Sequence, residues 1–195
     1  FIGSDNSILI LGDNIFYGHG FLEPIREKIY NFKDGACIFG YSVKDPERYG
    51  VVEFDNVNNV LSLEEKPESP KSNYAVPGLY IYDNNVCKYV KQLKPSFRGE
   101  YEITDLNNVY LKNKLLSVNL LGRGVAWLDT GTPASMIEAS TFISYIEIRQ
   151  GLKIACIEEI AYNRGFINKD NLKKIVFKMP ESSYKDYLIN FINAI

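Results

Sequence analysis

The sequence predicts an α/β fold, a mixed, mainly parallel sheet followed by a helical C-terminal region. Three observations predict it. Apolar runs of strand length occur at 7–12, 36–41, 50–54, 60–64, 76–82, 115–121 and 125–128. Stretches with apolar residues every three or four positions alternate with them, which is the habit of a sheet with helical crossovers. From residue 154 onward only the helical spacing remains. A chain of 195 residues, 46% apolar and 13% aromatic, can build one core of ordinary size. No internal repeat or Pro/Gly-rich linker marks a second one. Residues 1–195 are therefore read as a single domain, with 154–195 as its helical assembly region.

The elements follow in order. Ser7 to Leu11 has the composition of a buried parallel strand, and Gly12-Asp13 ends it. Phe21, Ile25, Ile29 and Phe32 recur at helical spacing, with Pro24 tolerated in the first turn. Ile103, Leu106 and Tyr110 repeat that pattern. Val125-Ala126-Trp127-Leu128 is a strand ended by Asp129. A helix over 132–150 comes next: Thr132 can cap it and Pro133 suits its first position. Met136, Ala139, Ile143 and Ile146 form one apolar stripe, and Gly151 follows its end. Its positive end is expected close to Asp129. Shorter helices are expected near 158–164, 169–178 and 182–194. Tyr184, Leu188, Phe191, Ile192 and Ile195 make the last one amphipathic.

Composition excludes several classes of function. With 22 basic and 24 acidic residues, no field of one sign invites nucleic acid or an anionic membrane. No signal-peptide pattern opens the chain, no apolar run approaches the ~20 residues of a membrane span, and no N-x-Ser/Thr sequon occurs. A soluble cytoplasmic protein is expected. Cys37, Cys87 and Cys156 stand far apart in apolar settings and read as buried free thiols. A single histidine, His19, cannot by itself make a zinc site.

Asp13 and Asp129 each follow an apolar run, where an open α/β sheet gathers its ligands beyond the carboxyl ends of its strands. Two carboxylates so placed can share one hard cation. Mg²⁺ takes one or two carboxylates and fills its remaining positions with water and substrate phosphates. Other motifs have plain readings when taken alone. Glu64-Glu65-Lys66-Pro67 reads as a charged turn, Tyr49-Gly50 as a turn, and Val76 and Tyr80 as core.

Together these segments resemble the sugar-nucleotide pyrophosphorylases, and most closely the glucose-1-phosphate thymidylyltransferases. The matching stretches are LGDNIFYGHGF (11–21), YGVVEFD (49–55), EEKP (64–67), YAVPGLYIYD (74–83), RGEYEITDLN (98–107), GRGVAWLDTGT (122–132) and RQGLKIACIEEIAY (149–162). Pro77, Ile81 and Ile157 depart from the family's usual Thr, aromatic and Pro. The family's opening Gly-rich loop, GxGxRLxPxT, which grips the triphosphate, does not occur here. The chain is thus expected to be an enzyme lacking its nucleotide-binding start, and inactive by itself.

The resemblance implies a nucleotide-diphospho-sugar transferase fold of Rossmann-like type. It also implies transfer of a nucleotidyl group from dTTP to glucose 1-phosphate with Mg²⁺ as cofactor. Asp13 and Asp129 would hold the metal, Lys66 and Arg98 would reach the sugar phosphate, and Glu65 would accept sugar hydroxyls. Asn14, Tyr49, Gly50, Val76 and Tyr80 would complete the substrate pocket. The plain alternative for Arg98 is a surface arginine paired with Glu100 or Glu102. A second, regulatory nucleotide site would involve His19, Arg123, Glu159 and Ile160, with a dTDP-sugar as feedback ligand. The family's assembly is a homotetramer, and its products feed dTDP-rhamnose and cell-surface polysaccharide. Two alternatives stay open: a non-catalytic sugar-phosphate or nucleotide-binding fragment, and a pyrophosphorylase for another sugar 1-phosphate.

Overall fold

The computed structural model describes residues 2–96 and 99–195. The chain divides into two compact units, Phe1–Thr132 and Pro133–Ile195. In the first, the elements run β1 (Ser7–Ile10), β2 (Asn14–Tyr17), α1 (Leu22–Tyr30), β3 (Ala36–Ser42), β4 (Gly50–Phe54), β5 (Val60–Glu65), β6 (Tyr74–Ala75), β7 (Leu79–Tyr82), α2 (Val86–Val90), α3 (Ile103–Lys112), β8 (Leu116–Leu120) and β9 (Ala126–Asp129). The main sheet has the order β1-β7-β3-β6-β4-β5, with β8 alongside β3.

The mixed α/β class holds, but the strand directions correct the expectation of a mainly parallel sheet. Among the described strands only β3 and β8 pair in parallel, with Ala36 opposite Leu116 and Gly40 opposite Leu120. β1 with β7, β3 with β6 and β7, and β4 with β5 and β6 are antiparallel. Connection length explains part of this. β4 and β5 are joined by a tight turn in which Asp55 accepts bonds from Val57 and Asn59, and a turn that short can only reverse the chain. β8 follows the long excursion through α3 and is free to return parallel.

The centre of the sheet, β3 and β7, is covered on both faces, which is why these strands read as continuous apolar runs. Ala36, Ile38, Tyr80 and Tyr82 point to one face, where Val52, Leu63, Leu106 and Tyr110 meet them. Cys37, Phe39, Leu79 and Ile81 point to the other and pack with Ile25 of α1. Each fully buried leucine or isoleucine here contributes roughly 1.5–3 kcal/mol. The run expected at 76–82 is shorter as a strand because Pro77 has no N–H for the ladder. β1 is not the buried parallel strand its composition suggests: it lies at the sheet's edge, antiparallel to β7, and Ile8, Leu9 and Ile10 are exposed.

The second unit holds α4 (Pro133–Gln150), α5 (Ile157–Asn163), α6 (Lys169–Phe177) and α7 (Ser183–Ala194). Its core is Cys156, Leu172, Val176, Leu188 and Ile192. Asn168 caps α6 by accepting the Asn171 amide, and Ser182 caps α7 by accepting that of Lys185. Of the expected α4 stripe only Ala139 is buried, and Met136 is exposed. All three cysteines are free, but Cys87, on the outer side of α2, is exposed rather than buried. No described helix is long and apolar enough to cross a membrane.

Candidate functional site

β2 is the element that assembles the site. It pairs antiparallel with β9 to form a two-stranded ribbon apart from the main sheet, with Asn14 opposite Asp129 and Phe16 opposite Trp127. The register places Asp13 one step from Asp129, although the two are far apart in sequence. Thr130 locks the crossing: its amide (2.8 Å) and its hydroxyl (2.9 Å) both donate to the Asp13 carbonyl.

Asn14 ties this ribbon to the sheet. Its Oδ1 accepts from the Gly78 amide at 2.9 Å and from the Trp127 indole at 2.7 Å, while its Nδ2 donates to Asp13 Oδ1 at 2.8 Å. Two donors facing one atom fix the amide's orientation. Gly78 allows the approach, since a Cβ there would lie 2.8 Å from Asn14 Nδ2 and from Leu11 Cβ. Trp127 is held further by Tyr49 (5.0 Å between ring centres) and by Tyr41 edge-on (5.7 Å).

One cavity of about 210 Å³ opens beside the ribbon. Its walls include Asp13, Asn14, Tyr49, Gly50, Glu65, Lys66, Val76, Tyr80 and Asp129, so nine expected substrate or metal positions converge there. Arg98 lies outside the described residues. Lys66 follows β5 with φ of 43°, in the left-handed region that costs a non-glycine residue of order 1–3 kcal/mol. Its amide donates to the Tyr49 carbonyl at 3.0 Å, so the Tyr49-Gly50 turn holds the strained backbone. Glu65 Oε2 accepts from the Thr104 hydroxyl at 2.5 Å. Gly50 faces that pair, and a Cβ on it would sit 3.3 Å from both oxygens. Burial first, and then the negative charges of Glu65 and Asp13, raise the Tyr80 hydroxyl's pKa well above its ordinary value.

The two aspartates keep acceptor capacity. Asp13 Oδ1 has the Asn14 amide and Asp129 Oδ1 has the Gly131 amide at 3.1 Å, while each Oδ2 has no described protein donor. No group of three or more His, Cys, Asp or Glu side chains able to hold a metal occurs among the described residues. Asp13 and Asp129 are the two aspartates that line the cavity, and Mg²⁺ commonly takes no more than one or two carboxylates and completes its shell with water and phosphate.

Some lining residues carried no functional signal in the sequence. Arg48, paired with Asp45 at 2.9 Å, adds a cation to the rim. Thr104 and Asn107 enter from α3. Asn107 stands four residues after Ile103 and three before Tyr110, so a polar residue on that helix's apolar face was the available clue. The regulatory candidates lie elsewhere. His19 and Arg123 are exposed on loops that meet where Gly18 packs on Gly124, whose carbonyl a Cβ would approach to 2.5 Å. In the helical unit Glu159 accepts from the Tyr187 hydroxyl, and Ile160 is exposed.

With the nucleotidyl transferase family's profile matching residues 1–145, the chain belongs to that family. Curated relatives are similar to it along nearly its whole length. A glucose-1-phosphate thymidylyltransferase of Neisseria gonorrhoeae is 51% identical over 98% of this chain and 66% of its own length. One from Xanthomonas campestris pv. campestris is 50% identical over 96% of this chain and 63% of its own. The chain thus spans slightly under two-thirds of the length of these relatives. A Bacillus anthracis crystal structure described as a glucose-1-phosphate thymidylyltransferase, with a sucrose bound, superposes with a TM-score of 0.64 at 46% identity, over 73% of this chain and 56% of that one. An apo UDP-glucose pyrophosphorylase, 24% identical with a TM-score of 0.66, shares the fold over 76% of this chain and 56% of its own.

Proposed function

We propose that the chain carries the sugar-phosphate pocket and metal carboxylates of a glucose-1-phosphate thymidylyltransferase, which joins dTTP and glucose 1-phosphate into dTDP-glucose with release of pyrophosphate. The observation that carries the reading is the β2–β9 ribbon, which brings Asp13 and Asp129 to the cavity that also holds Lys66 and Glu65. A phosphate oxygen of the sugar 1-phosphate attacks the α-phosphorus of the triphosphate. The bond from that phosphorus to the bridging oxygen breaks, and the electron pair leaves with pyrophosphate. Such chemistry rests on positioning and charge neutralisation.

Asp13 and Asp129 would hold a Mg²⁺ ion, which would supply charge neutralisation for the approaching phosphates. Lys66 holds the sugar's phosphate as a point charge, and Arg98 is a second cation in this reading. Glu65, with Oε2 occupied by Thr104, has Oε1 for sugar hydroxyls. Tyr80 and Val76 form the apolar wall against the ring, and the bare backbone of Gly50 lets the ring approach. Both compact units are read as parts of one nucleotidyltransferase. It works in the cytoplasm as a homotetramer, supplying dTDP-sugars such as the rhamnose precursor of cell-surface polysaccharide. A dTDP-sugar as feedback ligand is read at His19 and Arg123 of the first unit, and Glu159 and Ile160 of the second unit are separate candidates for such contacts.

The test is pyrophosphate release by the full-length protein across a grid of nucleoside triphosphates and sugar 1-phosphates in Mg²⁺. Fastest release with dTTP and glucose 1-phosphate is expected. Faster release with another pair would reassign the substrate, and none with any pair would contradict the reading.

A further inference from the structure

Asn107 has one buried polar atom with nothing to bond. The residue is 1% exposed on α3, its Oδ1 accepts from the Tyr82 hydroxyl at 2.8 Å, and its Nδ2 has no hydrogen-bond partner among the described residues. No other buried side-chain nitrogen or oxygen among the described residues is left in this state. An amide proton buried without an acceptor is costly enough that native proteins nearly always avoid it. With the amide turned over, the Tyr82 hydroxyl would lose its acceptor, so Oδ1 faces Tyr82 and Nδ2 is the end left over. The residue nonetheless lines the cavity described above.

Its surroundings say what would satisfy it. Tyr82 is stacked between Tyr80 and Tyr110, with ring centres 6.0 and 5.6 Å away, so the hydroxyl that holds Asn107 is itself fixed. Thr104, three residues earlier on α3, is committed to Glu65. This end of the cavity therefore offers an acceptor-only carboxylate and a donor-only Nδ2. A phosphate oxygen matches the amide but is repelled by Glu65. An alcohol oxygen matches both, because it donates to the carboxylate and accepts from the amide.

We infer that Asn107 is a specificity-determining residue whose Nδ2 donates to one hydroxyl of the bound sugar, at the end of the cavity away from the phosphate. This rests on the sugar-phosphate reading of the pocket and adds to it a donor for the ring. Thr104 and Asn107 both line the cavity, and a sugar hydroxyl that meets Nδ2 supplies the acceptor this buried amide lacks among the described residues.

A two-way cycle tests it. Binding of glucose 1-phosphate and its 2-, 3-, 4- and 6-deoxy analogues is titrated calorimetrically into the full-length protein and into Asn107→Leu, a variant of similar size. One analogue is expected to bind the unmodified protein about tenfold more weakly than glucose 1-phosphate, since it leaves the donor unpaired. Asn107→Leu is expected to lose about tenfold for glucose 1-phosphate and to stop distinguishing that analogue. Equal weakening for every analogue, or none, overturns the inference and reduces Asn107 to a structural residue. Absence of glucose 1-phosphate binding by the unmodified protein contradicts the functional reading itself. Asn107→Ala supplies the same cycle if Asn107→Leu does not fold, as judged by thermal unfolding.

Discussion

Asp83 and Asp13 stand in the same sequence context and hold opposite positions in the structure. Each follows an apolar strand, β7 for Asp83 and β1 for Asp13, and Asp129 ends β9 in the same way. Yet Asp83 is 2% exposed and saturated: it accepts from the Gly35 amide (2.9 Å), the Asn85 amide (2.9 Å), the Asn85 side chain (3.0 Å) and the Tyr110 hydroxyl (2.8 Å). Burial by itself would raise its pKa, but those bonds outweigh burial and hold it below the usual carboxylate range. Asp13 and Asp129 have one side-chain bond each and open onto a cavity. The difference teaches that an aspartate at a strand end is structural when the protein consumes its lone pairs. When oxygens are left over, it is ready for a ligand.

The comparison breaks most visibly by mutation. Asp13→Asn or Asp129→Asn in the full-length protein should lower Mg²⁺-dependent turnover by about 10³-fold, with thermal unfolding nearly unchanged. Asp83→Asn should do the reverse. An amide cannot accept at every position where Asp83 does, so stability should fall by roughly 2–4 kcal/mol while the folded fraction keeps its turnover. Steady-state kinetics and calorimetric unfolding of the three variants decide this together.

Lys66 sharpens the same contrast. Lys66→Ala should weaken sugar-phosphate binding by about 2–5 kcal/mol and nucleotide binding much less. Lys66→Gly should lose binding equally but unfold at a higher temperature than Lys66→Ala, because glycine adopts the left-handed backbone without strain. Equal losses for both substrates would leave EEKP as a structural turn.

A smaller effect is expected with pH. Because the folded pKa of Asp83 is depressed, its stabilisation is present at neutral pH and is lost as pH falls through that lowered value. Asp83→Asn should therefore flatten the acid limb of the stability profile below about pH 4. The Glu147 carboxylate, which accepts from Lys153 (2.6 Å) and the Ile154 amide (2.9 Å), is likewise depressed, burial being overcome by those bonds. With Glu147→Gln a slighter flattening is expected. Unfolding followed from pH 7 to 3 checks both.

Much of this was legible in the sequence, for identifiable reasons. Strands covered on both faces betray themselves as apolar runs, so β3 and β7 were readable, while their directions depend on partners that composition does not name. Asp13 and Asp129 were visible as strand ends. The ribbon joining them was not, since β2 is only Asn14–Tyr17 and its partner lies more than a hundred residues away. The role of Asn14 as a three-way hydrogen-bond junction was invisible for the same reason. Cys87 misled because its neighbours are apolar while α2 turns it outward. The saturation of Asp83 depends on Gly35 and Tyr110, both remote in sequence.

The most direct test of the account is whether Asp13 and Asp129 act as one unit. The measurement is a double-mutant cycle of Asp13→Asn and Asp129→Asn in the full-length protein, read on turnover across a Mg²⁺ titration and again on thermal unfolding. If both hold one ion, the double variant should be scarcely slower than either single variant, because groups acting together are strongly non-additive. Losses that multiply in turnover, stability losses that add as for distant sites, or near-normal Mg²⁺ dependence in either single variant would contradict it.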